Sequence, residues 1–154
     1  PKEAVHVLKV TLNDNDISVR VSAAAALARI DPSSRIKTML ILTGALNSKD
    51  EFTRGFANYS LKKIRELDAL AIEKRVKFLI QQLRDNDAAI RYKAIATLGK
   101  MKQAAAGAVA DLIKLLDDSD KRVSSSVLEA LKQIGNPEAI KAVNHYLENE
   151  KKPD

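Results

Sequence analysis

The side chains of this chain best suited to chemistry are aromatic and cationic. Phe52, Phe56, Tyr59 and Lys63 follow one another at steps of 4, 3 and 4 residues, which sets them along one stripe of a helix. Tyr92, Lys93 and Lys100 form a second group, and Arg29 and Arg122 stand before and after the two. Aromatic rings bury much area at low entropic cost, and Lys or Arg beside them pairs with carboxylates. The chemistry these types offer is recognition of an acidic and apolar surface. No comparable set exists for catalysis. Cys is absent, which removes disulfides and Cys-based zinc clusters. His6 and His145 lie at opposite ends and make no metal site. Five Gly are present and none forms a phosphate-cradling loop. No nucleophile, base and orienting group form a set. The reading is therefore no catalytic residue, no metal and no cofactor.

The elements that must position these residues come from an internal repeat. Leu12, Leu46, Leu83 and Leu116 are spaced by 34, 37 and 33 residues, and Leu27, Leu61, Leu98 and Leu131 repeat the same intervals. A period in this range marks a helical array rather than a single packed core. Each unit carries two stretches with apolar residues at helical spacing, such as Val76, Leu79, Ile80 and Leu83, then Ile90, Ala94, Leu98 and Met101. Between them stands a polar turn, where Asp16, Asp50, Asp87 and Asp120 are placed to cap the second helix. The expected pairs are Lys2 to Leu12 with Ile17 to Ile30, Ser34 to Leu46 with Glu51 to Glu66, Leu70 to Leu83 with Ala88 to Lys102, and Ala106 to Leu116 with Lys121 to Ile134. A last helix starts at Asn136-Pro137, a cap followed by proline at the first helical position, and 150–154 reads as a frayed tail. The longer 37-residue interval is expected to add about three residues to a loop around Glu66 to Ala71.

The pattern resembles HEAT repeats, in the short form of phycobilisome lyase-like proteins. The residues that carry the resemblance are Asp14-Asn15-Asp16-Ile17-Ser18-Val19-Arg20 leading to Leu27, Asp85-Asn86-Asp87-Ala88-Ala89-Ile90-Arg91 leading to Leu98-Gly99, and Asp118-Ser119-Asp120-Lys121-Arg122-Val123 leading to Leu131. The resemblance implies an all-α fold, a right-handed α-solenoid (α-α superhelix) of four HEAT-like helix pairs plus a C-terminal capping helix. It would form one domain, 1–154, with repeats at about 2–31, 33–67, 69–103 and 105–135 and the terminal helix at 137–149. The family's Asp and Arg six residues apart recur as Asp14 with Arg20 and Asp85 with Arg91. They are broken at Ser48 with Arg54 and Asp118 with Ser124, which breaks a continuous polar ladder. In such families these residues are structural.

In HEAT-like stacks the second helices line the concave face. With Val19, Ala23, Leu27, Ile30 and their equivalents buried, that face receives Ser18, Val21, Ser22, Ala25 and Arg29 from the first unit. It receives Phe52, Gly55, Phe56, Tyr59 and Lys63 from the second, Ala89, Tyr92, Lys93, Ala96 and Lys100 from the third, and Arg122, Ser125, Ser126, Glu129 and Gln133 from the fourth. The partner-binding candidates are thus Arg29, Phe52, Phe56, Tyr59, Lys63, Tyr92, Lys93, Lys100 and Arg122. Thr53 and Asn58 occupy nominal core columns of the second unit, so a rotated helix with its aromatics buried is the competing arrangement. Ala57, Leu61 and Ile64 keep the normal phase and favour exposure.

The function expected is a non-catalytic scaffold or adaptor for a protein or peptide, acidic and apolar in character. The alternatives are nucleic-acid binding through the same basic residues, in a chain of formal charge +6, and a chromophore-lyase-like chaperone. HEAT-like hydroxylases hold iron with His-Glu pairs, whereas here His6 precedes Val7 and His145 precedes Tyr146. The chain reads as soluble, without a leader or membrane span, with a monomer favoured and the compartment open. Val7 and Val10 in the first helix are expected to face a missing preceding unit, while Lys9 and Asn144 mark polar end helices.

Overall fold

The computed structural model describes residues 2–149, and the tail expected at 150–154 lies outside the described residues. Among the described residues there is no strand. The helices are α1 (Lys2–Thr11), α2 (Ile17–Ile30), α3 (Arg35–Ala45), α4 (Glu51–Gln82), α5 (Ala88–Met101), α6 (Val109–Ile113), α7 (Lys121–Ile134) and α8 (Pro137–Asn149). Short 3-10 segments, Pro32–Ser34 and Lys102–Ala108, lead into α3 and α6. The fold is an all-α helical repeat of the solenoid class.

The expected caps are formed. Asp16 accepts the Ser18 N–H, Asp50 that of Thr53, Asp87 that of Ala89 and Asp120 that of Arg122, at 2.7–2.9 Å. Each satisfies an N–H that the first helical turn leaves without a partner. Asn136 caps α8 through the Ala139 N–H at 2.8 Å, and Gly135, at φ +65, ends α7 in the left-handed conformation that glycine adopts without strain.

Two of the expected elements depart from the sequence reading. The break expected at Glu66 to Ala71 is absent, because α4 runs unbroken from Glu51 to Gln82. Residues 65–75 contain neither Gly nor Pro and are rich in Leu, Ala, Glu, Lys and Arg, so nothing in the local backbone stops a helix. The fourth pair's first helix, expected from Ala106, is a 3-10 run followed by the five-residue α6, with Ala105 and Ala108 fully buried in the run. Gly107 inside this stretch weakens a longer α-helix.

The chain divides into two compact units, one up to Leu70 and one from Ala71. The first unit has a core of Leu12, Val21, Ala23, Ala24, Leu27, Ala28, Leu42, Ala45, Ala57, Leu61 and Ile64. The second is built on Val76, Leu79, Leu83, Ile95, Leu98, Val109, Leu112, Val123, Val127, Leu131 and their neighbours. Leu27, Leu61, Leu98 and Leu131 are all buried, while in the other leucine column Leu46, just past the end of α3, is 37% exposed. Val21, expected on the binding face, is buried at 1% exposure, and Ile30, expected in the core, is exposed. Five of the fourteen residues of helix α2 are alanine. Neighbours therefore approach it on more than one side, and its buried face is broader than the single stripe assumed from spacing.

Candidate functional site

In the first unit, α2 and α4 bound a cavity of about 640 Å³. Ser22, Ala25, Ala26 and Arg29 of α2 form one wall, and Phe56, Tyr59, Ser60, Lys63, Ile64, Glu66, Leu67 and Leu70 of α4 form the other. The wall from α4 exists because Thr53 keeps the normal helical phase. Thr53 is buried, its N–H and hydroxyl both donating to Asp50 at 2.7 and 2.6 Å, and Ala57, Leu61 and Ile64 continue the core stripe. The competing rotated arrangement is not observed. Asn58, assigned by column to the core, is exposed, and Ser60 is buried instead.

This phase separates the aromatic stripe into three environments. Phe52 is 77% exposed and touches the cavity only through its neighbour, its ring stacking on Phe56 at a centroid distance of 6.3 Å. Phe56 is half-buried and packs against the core of the unit. Tyr59 is 57% exposed and lines the cavity, with the Lys63 ammonium 5.8 Å from its ring centroid. Lys63 also pairs with Glu66 at 2.8 Å. The Glu66 carboxylate beside it raises the Lys63 pKa, and Lys63 in turn lowers that of Glu66.

In the second unit, α5 and α7 bound a smaller cavity of about 470 Å³ lined by Tyr92, Ala96, Gly99, Lys100, Arg122, Ser125, Ser126, Glu129, Ala130 and Gln133. Tyr92 is 47% exposed. Arg122 is committed to its own helix cap, its guanidinium bonding Asp120 at 3.1 and 2.7 Å. This pairing, with the Arg122 backbone N–H, draws the Asp120 pKa down to about 2. Glu129 accepts from Gln133 at 2.9 Å. Of the nine expected binding residues, the structure gathers Arg29, Phe56, Tyr59 and Lys63 at the first cavity and Tyr92, Lys100 and Arg122 at the second. Phe52 and Lys93 line neither. Spacing missed Leu67 and Leu70, because a loop was expected there; the lack of any helix breaker in 65–75 was the available signal. It also missed Gly99, whose place on the cavity floor follows from close approach of α5 to α7.

The Asp and Arg pattern is structural. Arg20, Arg54 and Arg91 each donate to two carbonyls of the preceding turn, Asp14 and Asn15, Ser48 and Lys49, Asp85 and Asn86, at 2.7–3.1 Å. The Arg therefore binds the turn backbone, and the acid six residues earlier accepts a turn N–H. Ser48 does this as well as Asp14, Asp85 or Asp118, through its hydroxyl. Arg91 also bonds both carboxylate oxygens of Asp118 in the next turn at 2.8 Å, the bidentate geometry that favours Arg. The Arg91 guanidinium beside Asp118 holds its pKa below the usual carboxylate range.

A family model described as HEAT repeats matches residues 76–154, which is 79 of the 154 residues. The chain belongs to the HEAT-repeat family. Two solved structures similar to it are both titled as crystal structures of an engineered protein from the Northeast Structural Genomics Consortium. One is 25% identical with a TM-score of 0.41, over 94% of this chain and 68% of that one. The other is 27% identical with a TM-score of 0.37, over 93% of this chain and 41% of that one. No curated protein matches the chain. As HEAT repeats, the helix pairs form a helical scaffold. Among the described residues no three or more His, Cys, Asp or Glu side chains converge to hold a metal ion, and no helix is long and apolar enough to cross a membrane.

Proposed function

We propose that this HEAT-repeat chain is a non-catalytic scaffold that binds a protein or peptide at the second helices of its repeats, α2 and α4 in the first unit. The observation that supports this most is the first-unit cavity. It is open to solvent along exposed Tyr59, floored by half-buried Phe56 and walled by Leu67 and Leu70. Its volume lies in the range of ligand-binding clefts, which are mostly apolar with a few polar groups that orient the occupant. A half-exposed tyrosine beside aliphatic side chains is the composition of an interface anchor. The nucleic-acid alternative draws less support, since two of the five basic residues expected on that face, Lys63 and Arg122, are each held by a carboxylate, which leaves a smaller charge to meet phosphates.

The test is selection of random dodecapeptides displayed on phage against the folded protein, followed by titration of the recovered peptides. Tyr59→Ser, with helical circular dichroism unchanged, should weaken binding at least tenfold. Recovered peptides that bind Tyr59→Ser and Tyr92→Ser as well as the parent protein would refute the proposal.

A further inference from the structure

The charges around the first-unit cavity specify more than a generic apolar peptide. Three cations of this unit are held by carboxylates, and one of them, Lys63, lines the cavity. Lys63 pairs with Glu66 and Lys9 with Asp31, while Arg35 pairs with Asp68 and donates to the Ala28 carbonyl. Glu66, the acid among the lining residues, is therefore already paired. Asp31 also accepts from Ser33 and Ser34, and with Lys9 these bonds hold its pKa far below the ordinary range. Arg29 alone among the cations lining the cavity has no hydrogen bond or ion pair. It is exposed at the end of the α2 wall, with Ala25, Ala26 and Tyr59 among the lining residues. The lining thus carries one uncompensated positive charge on an apolar surface.

Resting on the reading of this cavity as a peptide site, we propose that it takes a segment presenting one carboxylate to Arg29, with a large apolar side chain against Tyr59 and Leu67. A guanidinium has the planar donor fork that matches a carboxylate, so the acid fixes register and orientation. The apolar side chain supplies most of the buried area. The Lys63–Glu66 pair, neutral as a unit, forms a polar edge that attracts no second acid. Position matters more than total charge: a segment with one acid beside an apolar residue is preferred to one with several acids spread along it.

The probe is the same random dodecapeptide library, selected in parallel on the parent protein and on Arg29→Gln, Arg29→Lys, Tyr59→Ser and Leu67→Ser. Peptides selected on the parent should carry Asp or Glu at one fixed position next to Phe, Leu, Ile or Met. Replacing that acid by its amide should weaken binding about tenfold, the effect of losing one charge-assisted bond. On Arg29→Gln the acid preference should vanish while the apolar preference remains, and Arg29→Lys should restore part of it. Loss of binding on Tyr59→Ser and Leu67→Ser, with no acid preference or with an acid preference untouched by Arg29→Gln, overturns the inference and leaves the peptide site standing. Binding indifferent to all four substitutions overturns the site itself. Displacement of the peptides by a single-stranded DNA 20-mer at 0.15 M salt, at lower concentration than by free peptide, assigns the surface to phosphates and overturns both.

Discussion

Two glycine substitutions should move stability in opposite directions. Gly55 and Gly99 both lie within helices, α4 and α5, where alanine is favoured over glycine by about 1 kcal/mol. A Cβ at Gly55 meets nothing within 4 Å, so Gly55→Ala should keep that gain. A Cβ at Gly99 would stand 2.8 Å from Gln133 Oε1, 3.0 Å from Ala130 Cα and 3.2 Å from Ala130 Cβ. Gln133 is exposed and can swing aside, giving up its bond to Glu129. Ala130 Cα belongs to the backbone of α7 and moves only if the helix does. Overpacking of this kind costs about 1–3 kcal/mol, which exceeds the propensity gain. Gly99→Ala should therefore lose about 1 kcal/mol, and the two variants should differ by about 2 kcal/mol. With a urea m-value of about 2 kcal/mol/M, the midpoints should separate by about 1 M. Urea titration followed at 222 nm, with m unchanged, reads this difference. If Gly99→Ala were as stable as Gly55→Ala, α5 and α7 could not be in backbone contact at Gly99, and the second-unit packing derived above would be wrong.

Three further outcomes follow from particular positions. Leu98 is fully buried among both helices of its pair and α7, so Leu98→Ala should cost about 2–5 kcal/mol by urea titration. Lys102 is the one non-glycine residue with positive φ among the described residues, at φ 52 and ψ −136, a conformation costing about 1–3 kcal/mol for an L side chain; Lys102→Gly should raise the thermal midpoint, and Lys102→Val should lower it. The carboxylates of Asp16, Asp50, Asp118 and Asp120 are all depressed by hydrogen bonds to helix starts or Arg partners, Asp120 to about 2. Because these pKa values are lower folded than unfolded, the unfolded chain binds more protons as pH falls below about 4, and stability is lost down toward pH 2. The urea midpoint should be flat from pH 5 to 7 and fall steeply from pH 4 to 2.5. In Asp118→Asn that fall should be shallower.

Much of this molecule is written in short-range patterns. Leu27, Leu61, Leu98 and Leu131 fix the phase of every second helix, and a single Asp at the same place in each turn fixes where those helices begin. Both follow from local rules, 3.6-residue periodicity and the free N–H groups of a first turn. Helix α4 was less legible. The irregular 37-residue interval suggested inserted loop residues, whereas a run without Gly or Pro can absorb an insertion by staying helical. Val21 was misplaced because aligning it with Gly55, Tyr92 and Ser125 assumes that equivalent positions share an environment. In a helix rich in alanine, close neighbours decide burial. At the candidate site, the residue types were legible and their electrical state was not. That Arg29 is free while Lys63 and Arg122 are occupied depends on Glu66 and Asp120 reaching them, and rotamers rather than spacing decide that.

The central claim is that binding resides in the cavity between α2 and α4 of the first unit. Amide hydrogen exchange of the protein with and without a library-selected peptide tests it most directly. Protection should rise in 22–30 and 56–67 and leave 92–133 unchanged; protection confined to 92–133, or none in the presence of saturating peptide, would contradict it.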